Sequence, residues 1–134
     1  MEIEYINCVK CADFGSPGDL YGNATGRANV GGKAVGSTVT WSVSRNNPLK
    51  LNNGKRSNVN KKSTTEIYRP NYDTDYILFS GWVKEADGGL NGGDDDFGSK
   101  EIKVFLRDIT FAPKGINLNF QDKVGIRCLV KRVK

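Results

Sequence analysis

The sequence predicts an all-β protein, a single antiparallel β-sandwich of about eight strands. Three observations carry this. Its apolar residues alternate with polar ones and do not recur at helical spacing. Sixteen glycines break the chain at short intervals, and Gly-rich or Asn-Gly turn signals separate short β-branched and aromatic runs. At 134 residues the chain suits one domain with one core; the whole of it, residues 1–134, is read as that domain.

The elements follow in order. Glu2 to Lys10 reads as a first strand, with Ile3, Tyr5 and Val9 on one side and Glu4, Ile6 and Cys8 on the other. Ala12 to Gly18 is a loop. A strand from Leu20 to Ala28 turns at Gly31-Gly32 into another over Lys33 to Ser44, where Val35, Val39, Trp41 and Val43 share a face. The polar run from Asn46 to Lys62 reads as a loop or a loose edge hairpin, turning at Asn53-Gly54. Further strands are expected over Thr64 to Tyr68, Asp75 to Glu85, Lys100 to Ile109, Gly115 to Phe120 and Lys123 to Val133. The patterns of Trp41 and Trp82 place both in the core.

Composition narrows the chemistry. There is no histidine, which removes the commonest general base and the Ser-His and Cys-His nucleophile pairs, so a binding role is expected over catalysis. Cys8, Cys11 and Cys128 cannot complete a four-ligand zinc site without histidine. They are expected as packing residues or one structural disulfide, with Cys8 to Cys128 a plausible pairing. The longest apolar stretch, Tyr76 to Phe79, falls far short of the roughly 20 residues that span a bilayer, and the N-terminus lacks the pattern of a signal peptide.

Charge is unevenly distributed. Between Leu20 and Thr65 there is no acidic residue, while Arg27, Lys33, Arg45, Lys50, Lys55, Arg56, Lys61 and Lys62 fall inside. Asp13, Asp19, Glu85, Asp87, Asp94, Asp95 and Asp96 lie in just two loops. Clustered carboxylates repel one another unless solvent or a cation intervenes, and a hard cation such as calcium takes six to eight oxygens.

The spacing in the first loop, Asp13-Phe-Gly-Ser-Pro-Gly-Asp19-Leu-Tyr21, resembles the first calcium loop of C2 domains. Trp82-Val-Lys-Glu85-Ala-Asp87, followed by Asp94-Asp95-Asp96-Phe97-Gly98, is similar to their third loop. Leu20 stands where that family has proline, Glu85 where it more often has aspartate, and the third loop is longer. The resemblance implies a C2-like sandwich that binds calcium through Asp13, Asp19, Glu85, Asp87 and Asp95, with Asp94 and Asp96 as substitutes. It further implies calcium-dependent attachment to anionic phospholipid surfaces. Phe14 and Leu90 would dip into the interface, and Lys50, Lys55, Arg56, Lys61 and Lys62 would add attraction to headgroups.

Such a module fits the targeting part of a larger secreted or membrane-acting protein, so a secreted or membrane-peripheral setting is favoured over the cytoplasm. A carbohydrate- or protein-recognition sandwich, calcium-stabilised or calcium-independent, would show the same acidic loops. The net charge of +5 and Tyr68, Tyr72 and Tyr76 suggest a nucleic-acid surface; the two acidic loops argue against it.

Overall fold

The structure, a computed structural model, describes residues 1–13, 15–87 and 93–134. Within them nine strands form two antiparallel sheets, packed as a β-sandwich. The first sheet has the order β5 (Arg56–Lys62), β1 (Glu2–Cys8), β9 (Val124–Val130), β8 (Lys114–Phe120). The second runs β3 (Lys33–Val43), β2 (Gly18–Val30), β6 (Tyr76–Glu85), β7 (Asp95–Phe105), and the short β4 (Leu49–Leu51) pairs with the start of β2. The inward faces of both sheets supply the core, including Ile3, Ile6, Leu118, Phe120 and Ile126 from the first sheet and Leu20, Ala24, Phe79 and Val83 from the second. A single 3-10 turn, Leu106–Asp108, follows β7.

The β2–β3 hairpin turns at Gly31 and Gly32 as expected, both with positive φ, a conformation that suits a two-residue hairpin turn. Its tip is held by Asp75, whose buried carboxylate accepts the amides of Gly31 at 3.0 Å and Asn71 at 2.7 Å.

Four expectations need correcting. In β1 the strict alternation fails, because the register with both neighbours shifts between Ile3 and Tyr5. That bulge turns Ile3 onto the buried side with Ile6 and Cys8, and leaves Val9 exposed. The polar run 46–62 contains two strands: β4 joins the second sheet, the chain crosses over, and β5 forms an edge of the first. As an edge strand β5 keeps most of its side chains half-exposed or exposed, so it lacks the apolar alternation that marks the inner strands.

Thr64 to Tyr68 is not a strand. This segment carries the chain from the first sheet towards the second, and Thr65 caps it by donating its hydroxyl to the Ser37 carbonyl at 3.1 Å. The Thr65 side chain occupies the space a Cβ would need at Gly36, whose φ is +70°. Lastly, Trp41 is buried but Trp82 is 38% exposed, because it faces outward from the second sheet beside Tyr21.

The disulfide joins Cys8 to Cys11 and leaves Cys128 a buried free thiol. Register explains why Cys8 and Cys128 do not pair. In the β1–β9 ladder Cys8 lies opposite Val124, and Cys128 opposite Ile3.

Strand direction gives the sandwich two poles. β1 and β6 end, and β2 and β7 begin, at one of them, where the acidic loops lie. The opposite pole gathers Glu2 and Lys62, Gly31-Gly32, Tyr76, Phe105 and Val130.

Candidate functional site

The ladder brings the acidic residues together. Leu20 pairs with Glu85, and Glu85 with Asp95, so the second sheet places the start of β2, the end of β6 and the start of β7 side by side. The Ala86 amide extends the ladder by donating to the Asp19 carbonyl at 2.8 Å. Asp13 arrives from the crossover between the sheets, just beyond the ring closed by Cys8 and Cys11.

What holds them is partly the protein's own cations. Asp94 accepts two hydrogen bonds from Arg45, at 2.6 Å from Nε and 2.9 Å from Nη2, one from the Tyr21 hydroxyl, and one from the Asp87 amide at 3.1 Å. These donors hold the Asp94 carboxyl well below the usual carboxylate range, and the Asp94 carboxylate in turn raises the pKa of Arg45 and of Tyr21. Asp19 is paired with Lys50 at 2.9 Å, the residue directly opposite it in the β2–β4 ladder. Asp96 accepts the Gly98 amide at 2.8 Å within the first residues of β7, where the register with β6 shifts between Trp82 and Lys84.

Glu85 differs from the rest. Only 4% of it is exposed, and its carboxyl is pushed up to about 7, first by burial and then by the neighbouring Asp13 and Asp95. A protonated Glu85 carboxyl donating to Asp13 satisfies both groups. Burial therefore favours the protonated Glu85 carboxyl below about pH 7, at a position where the resemblance implies a calcium ligand.

A C2-like calcium site would need Asp13, Asp19, Glu85, Asp87 and Asp95 to turn their oxygens on one point. Among the described residues no group of three or more such side chains is assembled to hold a metal ion. Lys50 already occupies Asp19. In this arrangement Asp19 is held by Lys50 and Asp94 by Arg45, so two of the acidic side chains already have cationic partners within the protein.

No family model, curated protein or solved structure matches this chain. The site must therefore be read from its own residues.

The basic residues do not form one face. Lys50 lies on β4 at the acidic pole, beside Asp19. Lys55 lies in the turn between β4 and β5, where its carbonyl accepts the Cys8 amide at 2.8 Å. Arg56 opens β5 with its guanidinium carbon 4.6 Å from the Tyr5 ring centroid. Lys61 and Lys62 close β5, and Lys62 pairs with Glu2 at 3.3 Å. A strand of seven residues separates its ends by about 20 Å, so Arg56 and Lys62 lie near opposite poles of the sandwich. Phe14 and Leu90, the candidate membrane-inserting residues, lie outside the described residues.

Two features were missed in the sequence. One is the Arg45–Tyr21–Asp94 constellation, which no local spacing announces because its members are up to 73 residues apart. The other is the outward Trp82, whose ring stacks edge-on to Tyr21 at 5.9 Å and lies 5.7 Å from the Lys84 ammonium. The alternation of β6 did carry that signal, since Val83 and Glu85 point inward and Trp82 must then point out.

Proposed function

We propose that the protein is a non-catalytic recognition module whose acidic pole docks, without calcium, onto a basic surface of a protein partner. The observation that carries this reading is the division of labour among the carboxylates. Arg45 and Lys50 neutralise Asp94 and Asp19 and brace the frame, while the exposed Asp13, Asp95 and Asp96 pair with no lysine or arginine among the described residues. Such a pole presents negative charge on an ordered ladder. Trp82 beside it supplies the kind of amphipathic ring that anchors protein interfaces.

A second reading keeps calcium-dependent attachment to anionic phospholipid. It is favoured by one observation, the crowding of Asp13 and Asp95 around buried Glu85, which a divalent cation would relieve. Under that reading Glu85 loses its proton on metal binding.

Calorimetric titration separates the two. With chelator present, polylysine should bind saturably and more weakly as salt rises, and Asp95→Asn with Asp96→Asn should weaken it further. Absence of polylysine binding overturns the first reading. Saturable heat on adding calcium alone, abolished by Asp19→Asn with Asp95→Asn and followed by calcium-dependent binding to phosphatidylserine vesicles, installs the second.

A further inference from the structure

The pole opposite the acidic loops has a different chemistry. Of the six large hydrophobic side chains exposed among the described residues, Tyr68, Tyr72, Phe111 and Val133 lie there, with Tyr68 80% and Phe111 62% exposed. Cations interleave with the rings. The Arg132 guanidinium carbon lies 5.1 Å from the Tyr72 centroid and 5.8 Å from that of Phe111, so one arginine bridges two rings. Arg69 lies 5.3 Å from the Tyr68 centroid.

The backbone fixes this arrangement. The Arg132 amide donates to the Thr110 carbonyl at 2.7 Å, and the Arg107 amide to the Tyr72 carbonyl at 3.0 Å. Three segments, around Tyr72, Phe111 and Arg132, are thereby tied together beside a groove of about 730 Å³ whose walls include Ile67, Ile109 and Val130. Lys131 and Lys134 border the same groove. Asp73 and Asp108 are within salt-bridge distance of Arg107, at 3.7 and 4.0 Å, and Glu2 of Lys62; Glu66 also lines the groove, but Lys131, Arg132 and Lys134 outnumber it and leave the rim positive.

We propose that this pole binds single-stranded nucleic acid, with bases stacked on the outer faces of Tyr68, Tyr72 and Phe111 and phosphates held by Lys131, Arg132 and Lys134. Exposed rings interleaved with cations are what such a ligand needs, because every base has a face to stack and every nucleotide a charge to neutralise. An acidic peptide would use the cations and leave the rings without a role. The acidic loops do not oppose this. β6 runs ten residues from one pole to the other, so about 30 Å separates them, several times the screening length of about 8 Å at physiological salt. This inference is independent of what the acidic pole binds.

The test is fluorescence anisotropy of a labelled oligothymidylate titrated with the full chain. Saturable binding is expected, with log affinity falling against log salt at a slope of about −2 if three phosphates are held. Phe111→Ala and Tyr72→Ala should each weaken it about five- to a hundredfold. Phe111 is largely exposed, so its variant should keep the wild-type melting temperature and test stacking alone. Asp95→Asn at the far pole should leave the affinity unchanged. The proposal is overturned by no saturable binding at low salt, by affinity indifferent to Phe111→Ala, or by polyglutamate or duplex DNA competing as well as the single strand.

Discussion

Arg45 and Asp94, 49 positions apart, meet in a two-pronged pair at the mouth of the acidic pole, and the Tyr21 hydroxyl closes on the same carboxylate. The pair ties the end of β3 to the start of β7 across β2 and β6. Because the folded Asp94 carboxyl sits below its ordinary range, the stability it adds is present above the unfolded value of about 4 and fades as pH falls towards the folded value. Asp94→Asn should therefore lower the urea midpoint at neutral pH, and the gap to wild type should close in acid. A gap that persists unchanged below pH 3 would show that the charge is not what holds this contact.

Glu85 has the opposite sign. Its folded value is raised to about 7, so the stability linked to its proton is fully present below the unfolded value near 4.5 and is lost as pH rises through about 7. Glu85→Gln keeps the shape and a donor without the charge. It should raise the free energy of unfolding at pH 8 by on the order of 2 kcal/mol after solvent screening, and flatten the profile between about pH 4.5 and 7. Denaturant curves across that window check it, and a variant less stable than wild type at pH 8 would contradict the burial argument.

Gly26 and Phe79 are in close contact across the β2–β6 ladder. They are directly paired, and a Cβ at Gly26 would stand 2.7 Å from Phe79 Cε1 and 2.9 Å from Val39 Cγ1. Phe79 is fully buried. Gly26→Ala should cost about 1–3 kcal/mol by overpacking, and Phe79→Ala about 3–5 kcal/mol by leaving a cavity. Adding Phe79→Leu to Gly26→Ala should recover part of the first loss, a coupling readable in a double-mutant cycle. Strict additivity would place the strain elsewhere.

The three thiols should be chemically distinct. Cys8 and Cys11 are joined, and burial pushes the Cys128 thiol up to about 12. Without a reductant, iodoacetamide should leave the native protein unlabelled and alkylate one cysteine per chain in denaturant. Mass spectrometry after digestion should find the label on Cys128. Rapid native labelling there would show that the β9 face opens.

β8 and β9 were legible, β9 ending at Val130 and not Val133, since Ile116, Leu118, Phe120 and Val124, Ile126, Cys128, Val130 alternate without interruption. The hairpin through Gly31-Gly32 was equally clear. β5 was not, because an edge strand with few buried side chains carries no hydrophobic period. Thr64 to Tyr68 misled for the converse reason: its β-branched and aromatic residues suit a strand, yet it meets the edge strand β3 through the Thr65 side chain and is not part of a ladder.

The sequence by itself determined the fold class, the gathering of acidic residues into two segments and the lack of any histidine, because side-chain alternation, turn residues and composition are local properties of the chain. Tertiary structure decided the rest. Which cysteine meets Cys8, which cation meets Asp19 or Asp94, how far Lys62 stands from Arg56, and that Glu85 is buried all depend on which strands become neighbours and in what register. Those choices are made by long-range packing of two sheets, and a spacing of two along one strand carries no record of them.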